Sequence, residues 1–161
     1  MARLYSALAV VGNQTTANTD DVQIEVNIPA NVTIRVRRIR IEDNSGQGAA
    51  LADLPMRVKL LQTSTTMADG SAFTPVKLDP RVPASACTCK VKTASTSVAT
   101  PGTITRTFDQ LSLRSEHEFE LFARDNWDAI TINGAAFFAI VLSTSSITAR
   151  TRTIYLVWEE F

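Results

Sequence analysis

In residues 21–29, DVQIEVNIP, apolar and polar side chains take strict turns. Val22, Ile24, Val26 and Ile28 fall on one face and Asp21, Gln23, Glu25 and Asn27 on the other, until Pro29 breaks the run. A period of two predicts a β-strand with one face in a core and one in water. The same alternation sets Met56, Val58 and Leu60 on one side of PMRVKLLQ (55–62). In EHEFELFA (116–123) it sets His117, Phe119 and Leu121 against Glu116, Glu118 and Glu120. CTCKVK (87–92) and TITRTF (103–108) are short and β-branched. AITI (129–132) runs into Gly134, and RTIYLVWEE (152–160) and the initial ARLYS also read as strands. AFFAIVLS (136–143) is almost wholly apolar, which predicts a strand covered on both faces. Helical periodicity is nearly absent. The pattern predicts an all-β chain of nine or ten strands, a sandwich or barrel.

One stretch breaks phase. In TIRVRRIRIED (33–43), Ile34 and Val36 share a parity, while Ile39 and Ile41 take the other. The change falls at Arg37-Arg38. A single inserted residue, a β-bulge, returns all four apolar side chains to one core. Arg35, Arg37 or Arg38, and Arg40 then face outward.

Three irregular connections are expected at 43–54, 63–86 and 93–102, each rich in Gly, Pro, Ser, Thr or Ala. Connections of this length often carry contacts. At 161 residues the chain suits one domain, 1–161. Its formal net charge is zero, with eight basic and eight acidic side chains in each of 1–80 and 81–161. A nucleic-acid binder usually carries a basic excess, so direct nucleic-acid binding is not expected. No apolar run is long enough to span a membrane as a helix. MARLYSALAVVG has an arginine followed by an apolar run, as secretory signals do. The run is short and interrupted by Tyr5 and Ser6, so it is read as a first strand of a protein made in a cytoplasm.

Candidate chemistry is sparse. Gly46-Gln47-Gly48 begins like a dinucleotide loop, but Leu51 stands at the third glycine position and no helix follows. His117 is the only histidine and has no nucleophile signature beside it. Glu116, Glu118 and Glu120 form an acidic stripe that reads as a solvated strand face. Cys87 and Cys89 point to one face of a strand, a poor geometry for a disulfide and half of what a zinc site needs. They read as buried thiols. No catalytic, cofactor or metal site is expected. The arginine stripe is expected to meet the Glu116–Glu120 stripe or an acidic partner surface.

ARLYS, the Gly70-Ser71 and TPVKLDP segment, and the strand IYLVWEE (154–160) together resemble small virion proteins of tailed bacteriophages and prophages. RVRRIRI departs from that family's more apolar, glycine-bearing pattern. The resemblance implies a single-domain antiparallel β-sandwich, jelly-roll-like, with long loops. It implies a capsid decoration (cement) protein in the virion, binding the major capsid protein or another virion protein, often as a trimer or dimer. The expected interface comprises Arg35, Arg37, Arg38, Arg40 and, on the N-terminal strand, Tyr5, with the 43–54 and 63–86 connections nearby. The alternative is a carbohydrate- or receptor-binding module of a head fibre or tail, stacking sugars on Tyr5, Trp127, Tyr155 or Trp158. Tyr155 and Trp158 lie on opposite parities, so at most one can be exposed.

Overall fold

The computed structural model describes residues 3–11, 19–43, 55–92, 98–114, 119–123, 129–144 and 152–161. These form twelve strands and no helix. They are β1 (Arg3–Val11), β2 (Asp21–Ile28), β3 (Thr33–Asp43), β4 (Pro55–Thr63), β5 (Ser71–Phe73) and β6 (Val76–Lys77). The rest are β7 (Thr88–Val91), β8 (Ile104–Arg114), β9 (Phe119–Phe122), β10 (Ile130–Asn133), β11 (Ala136–Thr144) and β12 (Arg152–Glu160). Every pairing is antiparallel. The first sheet runs β10-β3-β12-β1-β6, with β9 also on β3; the second runs β5-β7-β2-β11-β4-β8. One buried cluster draws from both, so the two sheets close on a shared core. Trp158, Tyr5 and Phe138 are its largest fully buried side chains.

The predicted bulge is present. β3 pairs with β12 through Arg38↔Val157 and then Val36↔Trp158, so Arg37 is the extra residue. Ile34, Val36, Ile39 and Ile41 are all buried. The bulge also divides the far edge of β3. β10 pairs with Thr33–Val36 on one side of it, and β9 with Arg38–Ile41 on the other. Between them the Arg37 carbonyl accepts the Ala123 N–H at 2.9 Å. The extra residue therefore restores the phase and also marks where one neighbour gives way to the next.

Three expectations are corrected. The strands outnumber the nine or ten expected, because the 63–86 connection itself holds β5 and β6. β8 runs on to Arg114 rather than ending at Phe108. Its two bulges, at Phe108 and Thr105, disguise the alternation. The third correction concerns β2. Asp21, Gln23 and Glu25 are buried, although their parity predicts solvent. Ile24 pairs with Ile140 and Val22 with Val141, which leaves Gln23 as a bulge and turns Val22 to the outer face. There Val22, Leu61, Ala139 and Val141 form a second cluster under Met67 and Ala99. β11 is thus apolar on both faces because both are covered.

Buried carboxylates fasten those covering segments. Asp21 accepts the Ala99 N–H at 2.9 Å and pairs with the buried ammonium of Lys92. Glu25 accepts the Thr66 hydroxyl at 2.7 Å and the Met67 N–H at 2.8 Å. Of the two turns at one end of the molecule, Gly134 is the tight fit. A Cβ there would lie 2.0 Å from the Pro29 carbonyl oxygen, which already accepts the Val32 N–H.

Two predictions test this frame. Deleting Arg37 forces Ile34 and Val36, or Ile39 and Ile41, out of the core. The deletion is expected to cost about 3–6 kcal/mol in urea unfolding, whereas Arg37→Ala, which keeps the residue count, costs about 1 kcal/mol. Equal losses would show that the phase is not enforced. Burial raises the pKa of Glu25 above its ordinary 4.5, against the hydrogen bonds from Thr66 and Met67 and the charge of Lys90. The folded protein therefore holds this proton to higher pH than the unfolded chain does. The resulting stabilisation is full below pH 4.5 and is lost as pH rises through the folded value. Relative to Glu25→Gln, the wild type should lose stability as pH rises from 4.5 towards neutrality and then level off; a constant difference would refute the shift.

Candidate interaction surface

The bulge, the alternation of β12 and the position of β1 together build the outer face of the first sheet. Arg35 lies opposite Glu159, Arg38 opposite Val157 and Arg40 opposite Tyr155. One strand further, Glu159 faces Leu4, Val157 faces Ser6, Tyr155 faces Leu8 and Thr153 faces Val10. Val76 of β6 then faces Ser6, and the Leu78 N–H reaches the Leu4 carbonyl at 3.1 Å. The face thus grades from charged at β3 to aliphatic at β1 and β6.

The charged half is ion-paired within the chain. Glu159 serves Arg37 at 2.6 Å and Arg35 at 3.7 Å. Arg38 reaches Glu120 at 2.7 Å, and Arg40 reaches Glu42 at 2.5 Å. The expected meeting of arginine and glutamate stripes therefore holds for Arg38 and Glu120. Glu116, His117 and Glu118 lie outside the described residues, as do Trp127 and most of 43–54. The Arg35 guanidinium also sits 4.7 Å from the Phe161 ring centroid, a cation–π distance. Leu8, Arg38, Arg40, Glu42, Thr153 and Tyr155 line a shallow depression of about 220 Å³.

The aliphatic half is exposed. Leu8 is 55% and Val10 66% accessible, with Val76 at 56%, Leu78 at 46% and Leu4 at 38%. Beyond Ser6, no described strand pairs with the outer edge of β1.

Tyr5 does not belong to this surface. It is fully buried, its ring 6.2 Å from that of Trp158, and its hydroxyl donates to the Pro83 carbonyl. Residue 5 has the parity of Ala7 and Ala9, which point inward. The four arginines, by contrast, are brought together on one face. Trp158 is buried and Tyr155 half-exposed, as their opposite parities require.

Sequence reasoning missed Glu159 and Glu160 as a divided pair. Glu160 shares the parity of Trp158 and turns inward. It accepts the Trp158 indole N–H at 3.1 Å, the Ala86 N–H at 3.0 Å and the Ser85 hydroxyl. It thereby anchors the segment leading into β7. Cys87 and Cys89 are buried free thiols beside it. Burial, then the charge of Glu160, raises both thiol pKa values, that of Cys89 to about 12. Neither is poised as a nucleophile. No group of three or more metal-ligating side chains occurs among the described residues.

Comparison with protein-family models, with curated proteins and with solved structures gives no match.

The Arg38–Glu120 pair is half-exposed, and its strength is expected to be modest. Arg38→Glu should cost roughly 0.2–1 kcal/mol beyond Arg38→Ala through repulsion of Glu120. Adding Glu120→Arg should return most of that loss in a double-mutant cycle read by urea unfolding. Independent effects would show that the contact contributes nothing.

Proposed function

We propose that this protein is a structural subunit of a virion, a capsid decoration or cement protein that reinforces a shell through protein–protein contacts. The resemblance of ARLYS, TPVKLDP and IYLVWEE to phage virion proteins supports the reading, as does the pair of antiparallel sheets, taken here as a jelly-roll-like sandwich. The observation that carries it is the graded outer face of the first sheet. A row of guanidinium groups, positioned by carboxylates, lies beside an uncovered band of leucine and valine. Aliphatic area supplies the driving force for association, while charged groups fix register and partner. The subunit is made in the host cytoplasm and works on the assembled particle, where its partner is the major capsid protein or another virion protein.

The sugar-binding alternative has less support. Stacking needs exposed rings, and Tyr5 and Trp158 are both in the core.

Mass spectrometry of purified particles encoded by the same genome should find the chain in fixed stoichiometry with capsid protein. Adding purified protein to shells that lack it should raise their rupture temperature. Leu8→Lys combined with Arg38→Glu should weaken shell binding at least about tenfold, the loss of about 1.4 kcal/mol. Absence from particles together with no binding to shells would overturn the proposal.

A further inference from the structure

The aliphatic band lies on one flank of the face, and its composition is distinctive. Leu4, Leu8 and Val10 of β1, with Val76 and Leu78 beside them, form a line of five exposed aliphatic side chains along the strand direction. From their fractional exposures, they present on the order of 400–500 Å² of apolar surface, the size of patch that is often functional on a monomer. Among the described residues of β1, none between Leu4 and Val10 is charged. The arginine row and its carboxylates lie on one side, on β3, β9 and β12, while Lys77 and the Asp79–Arg81 pair stand at the other edge.

We infer that this band packs against the same band of a second copy of the chain, face to face about a two-fold axis parallel to β1. The inference rests on the contact-subunit reading above and names one of its partners.

Three observations favour a second copy. The first is area. Two bands remove on the order of 900 Å² on contact, and the half-exposed Thr153 and Tyr155 beside them extend the contact towards the ~1,200 Å² at which stable interfaces begin. The second is charge. An axis along the strands carries the two sheets away from the contact line in opposite directions. Each arginine row then lies beyond the other copy's β6 and does not meet its twin. An axis across the strands would set guanidinium against guanidinium. The aliphatic band and the one-sided arginine row therefore select one of two possible two-fold arrangements. The third is neutrality: a chain with formal net charge zero has no long-range repulsion from its own copy. An isologous contact also needs only the one patch already present. In the dimer both arginine rows stay uncovered, free to meet a different surface.

Sedimentation equilibrium across the micromolar range tests the pairing. The wild type should approach twice the 17.6 kDa chain mass. Leu8→Lys with Val10→Lys should weaken association at least about tenfold, a change of about 1.4 kcal/mol. Its circular dichroism and urea midpoint should match those of the wild type, because both side chains are exposed in the subunit. Thr107→Lys, on an exposed position of the other sheet, should leave the dimer intact. A monomeric wild type, an assembly of another size, or a dimer indifferent to the lysines would each overturn the pairing. Shell binding is measured on the same samples. A monomer that still binds shells sinks the pairing and leaves the contact-subunit reading standing. A lysine-sensitive dimer that ignores shells supports the pairing and counts against that reading.

Discussion

A strand that buries one face must keep its two-residue period in step with every neighbour it pairs with. Slip by one position, and each buried side chain trades places with a solvated one. In this fold the requirement bears hardest on β3, which pairs with β12 along one edge and with β10 and β9 in turn along the other. Its apolar residues do not share one parity. The extra residue at Arg37 reconciles Ile34 and Val36 with Ile39 and Ile41, and the arginines face outward as a result. The charged half of the outer face is thus a consequence of how the core is kept in register. The bulges at Gln23, Phe108 and Thr105 act likewise in the second sheet. At Gln23 the slip is used to turn Val22 towards a second small core.

Three buried acids do a different job. Asp21, Glu25 and Glu160 each sit near or within a strand and accept hydrogen bonds from backbone N–H groups of a segment without regular structure. A carboxylate offers two oxygens to donors that would otherwise lie unsatisfied against a sheet. Lys92 compensates Asp21 directly, and Thr66 and Ser85 add hydroxyl donors to Glu25 and Glu160. Removing one such acid would strand several donors at once, which is why each acid matters more to its segment than any single contact suggests.

How far the sequence could be read depended on whether a residue's neighbours lay on its own strand. Alternation was enough to find β2, β3, β4 and β12, and the phase break at Arg37-Arg38 was enough to locate the bulge. It also explained why only Tyr155 of the last strand's two aromatics could face out. It failed at Asp21 and Glu25, because segments near 66 and 99 that the strand pattern does not mention cover them, and at Gln23, which is the extra residue of a bulge. It failed at Tyr5 for a simpler reason. The parity of Ala7 and Ala9 already pointed inward, but a tyrosine near a chain end invites an assignment to the surface. The arginines were legible as outward-facing. Their carboxylate partners were legible only in part, since Glu120 belongs to a visible stripe whereas Glu159 and Glu42 depend on cross-strand register.

The seating of β1 has a kinetic corollary. Its long partner is β12, with Arg3 opposite Glu160, so β1 must wait for a strand about 150 residues further along the chain. β6 can cover only Tyr5 and Ser6 in the interval. Pairings this distant close slowly, because the chain between must first be gathered in. Throughout that delay SALAVV (6–11) is an uncharged, proline-free β-former with bare edges, the kind of segment that recruits other nascent chains. A chaperone that shields exposed strand edges during synthesis would find its substrate in β1 until β12 arrives.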